Sequence, residues 1–226
     1  MLSGIAFVNG SLLLGWGGMG FYSVGYQRAA AILLSIEVIS ARLLEGTGVG
    51  VKTIARQSWL GLAGILWLIM NVVLAWSAHR RFASLTGDSA FIPWFGVTLF
   101  ALGLALRNWA AHTLGDFFSL NVTIFERQEL ITRGPYRYCR HPAYSGSLLQ
   151  IIGLTLAFRA VLGLVFMIVF IPILFWRIRD EESLLVDAFH RDYSEYQRNV
   201  PKLFPRVKNW RSKPDVKRTN SFLLKD

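Results

Sequence analysis

Two short polar stretches stand among long apolar ones, and their side chains are of the kinds that hold charge and move it. The first is RGPYRYCRHPAYSG, Arg133–Gly146, and the second is RIRDEE, Arg177–Glu182. In the first, Gly134-Pro135 signals a turn, and Arg137, Arg140 and His141 follow closely. Pro142 then precedes more than thirty mostly apolar residues. Proline is favoured at the first position of a helix, where the N–H has no intrahelical partner. Pro142 therefore opens a helix with His141 at its mouth. Free amides at such an end, beside arginines, attract a carboxylate or phosphate. In the second stretch Arg177 and Glu181 are four apart and share a helix face, with Glu182 turned off it. Taken together, the stretches offer amides, a histidine, tyrosines, arginines and two carboxylates. That set suits a zwitterionic ligand, its carboxylate on the amides and its cation on Glu181 or Glu182.

What must bring them together is the chain between. Ala143–Phe158 and Val161–Trp176 are apolar runs separated by Arg159, and a short connection makes antiparallel neighbours. A helical hairpin with Arg159 at its far turn returns Arg177 to His141. Pro172 is expected to kink the second arm by removing a backbone hydrogen bond. Beyond it, Glu181–Gln197 reads as a helix with an apolar face at Leu184, Leu185, Ala188 and Phe189, stopped by Pro201 and Pro205.

The whole chain belongs in a bilayer. It is 53% hydrophobic and 17% charged, with mean hydropathy +0.40, and several runs approach the ~20 apolar residues a span needs. Spans are expected within residues 1–26, at Trp59–Ala78 and at Phe91–Ala110, with Trp59, Trp76, Trp94 and Trp109 as interface anchors. Residues 1–27 carry no charge, so no basic leader is present and the N-terminus reads as a retained membrane segment. Residues 28–45, broken by Glu37, Arg42 and Glu45, read as either a span or an interfacial helix. His112–His141 reads as an ordered extramembrane segment of about thirty residues. The expected fold is all-α: a polytopic helical bundle of about five transmembrane helices, with room for a sixth, a helical hairpin and a cytoplasmic C-terminal helix. The organisation follows: 1–112 as N-terminal membrane helices, 113–205 as the region that holds both polar stretches and hairpin 143–176, and 206–226 as a basic tail.

The net charge of +10 does not imply nucleic acid. Of 24 lysines and arginines, twelve follow residue 176, the pattern of a cytoplasmic face against anionic lipid. Cys139 is the only cysteine, which excludes an intrachain disulfide and a cysteine metal cluster. The scattered His79, His112 and His190 suggest no metal site.

Leu114–Gly146, then Arg177–Leu185, then Phe189, Tyr193, Tyr196 and Pro201, together resemble the isoprenylcysteine carboxyl methyltransferase family. The shared motifs are GPYRYxRHPxYxG and RxxxEExxL, specific in combination and order, and they cover about the C-terminal half. The resemblance implies a membrane methyltransferase using S-adenosylmethionine. It assigns cofactor binding to Gln128, Glu129, Leu130, Ile131, Tyr136, His141, Pro142, Ala143, Tyr144, Glu181 and Glu182. Arg177 becomes the substrate-orienting residue, and Arg177 and Glu181 the catalytic pair. The implied acceptor is lipophilic, a prenylcysteine-like carboxylate first. The chain departs from the family at Gln128, where histidine is common, and at His190, where glycine is usual. Alternatives are a thiol S- or phospholipid N-methyltransferase of the same fold, an NADPH-dependent sterol reductase-like enzyme, and a non-catalytic membrane scaffold. A thiol or amine acceptor would need a base that a carboxylate does not.

Overall fold

The computed structural model describes residues 9–10, 24–44, 69–78, 89–118 and 128–205. Every regular element among them is helical. We number the principal helices α1, Gly25–Leu43; α2, Ile69–Ala78; α3, Phe91–Leu114; α4, Pro142–Ala157; and α5, Leu162–Asn199. Expectations at Trp59, most of residues 1–26 and the basic tail fall outside the described residues.

The central packing is α3 on α4, and glycine makes it close. A Cβ on Gly103 would stand 2.6 Å from the Gly146 carbonyl oxygen, and one on Gly153 2.5 Å from the Phe100 nitrogen. Gly96 opposes Gly153 in the same way that Gly103 opposes Gly146. On each helix the two glycines are seven apart, two turns on one face. Lipid tails are as apolar as leucine, so helices in a bilayer gain little from hiding apolar side chains in one another. Close backbone contact through small residues supplies the attraction instead. Around this seam Ala30, Ala31 and Leu34 of α1, Met70, Leu74 and Ala75 of α2, Phe100 and Leu104 of α3, and Ile151 and Leu154 of α4 form one buried cluster.

Among the described residues, two helical segments, Phe91–Phe117 and Leu162–Asn199, are long and apolar enough to cross a membrane. Only 33% and 17% of their most apolar windows are buried within the protein. Phe91, Leu102, Val165, Ile168 and Val169 all stand exposed, which suits lipid contact. Trp94, Trp109 and Trp176 are half-exposed at the ends of these apolar stretches, where aromatic anchors belong.

Several sequence expectations change here. The interrupted 28–45 segment is the helix α1, and its Glu37 is turned inward. The α3 helix runs on to Leu114, shortening the segment before His141. The hairpin arm runs on without a break into the C-terminal segment, and α5 reaches Asn199 only across a kink at His190. Composition changes at Arg177, but every residue from there to Phe189 tolerates a helix, so the backbone continues. The internal residue with non-helical backbone is His190, not Pro172: φ is 46° and ψ −114°. The left-handed region at His190 favours glycine.

The hairpin itself forms as expected, with Pro142 as the first residue of α4 and Arg159 in the turn at φ 53°. The Arg159 guanidinium donates to the Ser89 carbonyl, tying the turn to the start of α3.

Candidate active site

Because the hairpin closes, the RHPAY and RIRDEE stretches meet. Arg177 Nε donates to the Tyr144 hydroxyl at 2.7 Å, and that hydroxyl donates to Glu181 Oε2 at 2.7 Å. The Arg177 guanidinium also lies 5.8 Å from the Tyr144 ring centroid. One tyrosine thus bridges the cation and the anion that share a face of α5. His141, 4% exposed, sits between two carboxylates: Nε2 is 3.1 Å from Glu182 Oε1 and Nδ1 3.8 Å from Glu181 Oε1.

Glu182 is set off the face that Arg177 and Glu181 share, as helix spacing suggested, and it meets the site through His141. It accepts from Arg140 Nε at 2.9 Å and pairs with Arg140 Nη2 at 2.8 Å and Lys202 Nζ at 3.2 Å. Arg140–His141 crosses α5 at this level, so neighbouring carboxylates both meet it. Glu182 is thereby engaged in holding the walls.

A clasp completes those walls. Arg140 Nη1 donates to the carbonyls of Gln197 and Val200, at 2.8 and 2.6 Å. The backbone N–H groups of Arg140 and His141 donate to Pro201 and Lys202, at 2.9 and 3.0 Å. The Ser145 hydroxyl reaches the Leu203 carbonyl, and the Tyr196 hydroxyl donates to the Tyr136 carbonyl at 2.6 Å. The positive φ of Gly134, 60°, turns the chain into the short helix Gly134–Arg137 that carries Tyr136. A side chain there would also strike Thr113, its Cβ 2.8 Å from the threonine hydroxyl.

Between these walls lies a cavity of about 1120 Å³, its open side included. Gln128, Glu129, Leu130, Ile131, Tyr136, His141, Ala143, Tyr144, Arg177 and Glu181 all line it. Pro142 and Glu182 are not among its lining residues. The lining also includes Arg140, and Arg107, Leu114, Phe117, Phe118, Ser147, Tyr193 and Tyr196, for which no site role was read from the sequence. An available signal was Arg107, a charge inside an apolar run, which is costly and often functional. The Tyr193 hydroxyl is buried without a hydrogen-bond partner among the described residues. Burial raises the pKa of Tyr193 and of Tyr136, so both stay neutral donors. Cys139, 4% exposed, has its thiol pushed up to about 11 by burial, which fits a packing residue and not a nucleophile.

A family model described as the isoprenylcysteine carboxyl methyltransferase (ICMT) family matches residues 96–187. Over 156 residues the chain is 31% identical to the nickel-cobalt-cadmium resistance protein NccN of Alcaligenes xylosoxydans xylosoxydans, covering 66% of this chain and 67% of that one. Over 116 residues it is 34% identical to protein-S-isoprenylcysteine O-methyltransferase B of Arabidopsis thaliana, covering 50% and 59%. In fold it is similar to the eukaryotic intramembrane Ras methyltransferase ICMT, with TM-score 0.62 and 22% identity over 81% of this chain and 66% of that one. The chain spans about two thirds or less of the length of the curated relatives it matches.

Proposed function

The chain belongs to the isoprenylcysteine carboxyl methyltransferase family, and on that premise we propose that it moves the methyl group of S-adenosylmethionine to a lipophilic acceptor, a prenylcysteine-like carboxylate. The observation that carries this reading is the Arg177–Tyr144–Glu181 bridge on the wall of an aromatic-lined cavity.

The residues present fit the methyl donor. Tyr136, Tyr144, Tyr193, Tyr196, Phe117 and Phe118 offer ring faces, which suit a purine and attract a sulfonium by ~0.5–2 kcal/mol each. Glu181 offers a carboxylate to a cation. The unpartnered Tyr193 hydroxyl calls for a polar ligand atom, because a buried hydroxyl left alone is costly. We assign Gln128–Ile131, Tyr136, His141, Ala143, Tyr144 and Glu181 to donor contact. Glu182 and Pro142 act through His141 and the helix start.

The bound donor supplies an electrophilic methyl group, which leaves its sulfur with the bonding pair staying on sulfur as the acceptor oxygen bonds to carbon. A carboxylate acceptor is already ionised near neutral pH, so this chain needs no general base. Arg177 holds the acceptor anion by charge-assisted hydrogen bonds, and Tyr144 fixes the angle of its guanidinium. Alignment and exclusion of water by the cavity walls supply catalysis, a contribution that reaches ~7–11 kcal/mol.

We further assign the polar ends of the hairpin to the cytoplasmic face, since both are flanked by basic residues. About five spans, a membrane region 1–112 that shapes the acceptor side, a catalytic region 113–205 and a basic tail 206–226 complete the proposal.

Purified protein in lipid, given labelled S-adenosylmethionine and a panel of prenylcysteine, thiol and phospholipid acceptors, tests it. Label is expected in a base-labile ester of the prenylcysteine. Arg177→Ala and Glu181→Ala are each expected to abolish transfer while the protein still inserts and folds. Label in the thiol or amine alone, or full activity in either variant, would overturn the assignment.

A further inference from the structure

Resting on that methyltransferase reading, we propose that Glu37 is a positioning residue for the acceptor end of the cavity, acting through Arg107, whose guanidinium reaches the acceptor's carboxylate from the apolar side while Arg177 holds it from the mouth. Glu37 belongs to α1, far in sequence from the family motifs. It is 8% exposed, and its Oε1 accepts from Arg107 Nη1 at 2.7 Å. Arg107 belongs to α3, its side chain is 19% exposed, and it lines the cavity. Its backbone nitrogen stands 3.0 Å from where a Cβ on Gly146 would be. Gly146 is four residues beyond the start of α4, so Arg107 is about 6 Å further into the apolar layer than the mouth at Pro142.

This depth separates two ends of one cavity. The mouth holds His141, Tyr144, Arg177 and Glu181. Arg107, against Gly146 of α4, lines the cavity deeper in. An acceptor with an apolar tail approaches from the apolar layer and meets Arg107 there. A guanidinium at that depth is costly unless paired. It carries five N–H donors in a rigid fork, and anchoring one nitrogen on Glu37 sets where the others point. The charge logic also favours turnover, since the acceptor enters as an anion and leaves as a neutral ester.

The test uses the full chain in lipid and compares wild type, Glu37→Gln, Arg107→Ala and the double variant. Glu37→Gln keeps the side-chain volume and removes the charge. It is expected to raise the acceptor KM about thirtyfold or more, the scale of losing one partner of a desolvated pair, with the donor KM within about twofold. The double variant is expected to match Arg107→Ala alone, because coupled residues are not additive. Direct binding of a prenylcysteine with a free carboxylate, and of its methyl ester, gives a second readout. Glu37→Gln should weaken binding of the acid and leave that of the ester unchanged. A merely structural Glu37 would instead lower the folded yield, shift acid and ester binding alike, and add to Arg107→Ala, and that pattern overturns the inference. Wild type that methylates no acceptor overturns the methyltransferase reading. The acid-against-ester comparison then still decides this one, and equal binding of the acid by wild type and E37Q sinks it.

Discussion

Tyr144→Phe probes the site with one atom. The substitution removes the hydroxyl that accepts from Arg177 and donates to Glu181, both at 2.7 Å. The ring stays, so its packing with His141, 5.7 Å between centroids, and with the Arg177 guanidinium is kept. Each lost bond involves a charged partner, and such bonds contribute ~1.5–3 kcal/mol. Part of the loss is recovered, because Arg177 and Glu181 lie one turn apart on α5 and can pair directly. A net loss of ~1.4–3 kcal/mol at the transition state corresponds to roughly 10–150-fold in rate. The assay is single-turnover methyl transfer in lipid with saturating donor, alongside donor binding and the thermal unfolding midpoint. Transfer should fall within that range while the midpoint moves little. A rate within twofold of wild type would show that the bridge does not orient the reacting groups. A collapsed midpoint would show that it serves the fold.

Glu182→Ala should destabilise the protein by ~3–5 kcal/mol, the scale for breaking a buried pair from one side, because Arg140, His141 and Lys202 all lose their common partner. Denaturation in detergent measures it, and Glu182→Gln should recover part of the loss. His190→Gly should raise stability by ~0.5–1 kcal/mol, since φ 46° strains any residue with a Cβ and suits glycine; an unchanged or lowered midpoint counts against the strained turn. The thiol of Cys139 should resist alkylation at pH 8, because burial holds its pKa at about 11. Between the ordinary thiol value of about 8.5 and about 11, the native state keeps a proton that the unfolded chain has released. Stability therefore falls as pH rises through that window, and Cys139→Ala should flatten the fall seen by unfolding at pH 8 and pH 10.5.

The meeting of His141 and Tyr144 with Arg177 and Glu181 was readable from the sequence because two arms of nearly equal length fix where the chain returns. Pro142 was readable as a helix start for a local reason, the missing N–H. The turn at His190 was half readable: the family resemblance marks a glycine there, and the left-handed backbone supplies the reason. Other features have no local signature. Glu37 and Arg107 are 70 residues apart, and no periodicity announces which helices touch. The glycine seam needs both helices in hand, since Gly96–Gly103 and Gly146–Gly153 acquire meaning only when they face each other. The partners of Glu182 were not readable from helix geometry alone. Which side of a helix is occupied depends on the strand of chain that crosses it, here Arg140–His141.

The clasp from Gln197 to Leu203 bears on the order in which the protein is made. Arg140 waits for the Val200 carbonyl, 60 residues later in translation, and Ser145 waits for that of Leu203. The hairpin can therefore pair its arms before Arg140, His141 and Ser145 have their carbonyl partners. The nascent chain is then a helix pair with an unfinished pocket. The pocket is closed only when the last turn of α5 and the residues after it fold back. Pairing of the arms and closure of the pocket are thus two events in the life of one molecule, the second decided by a few carbonyl groups that arrive late.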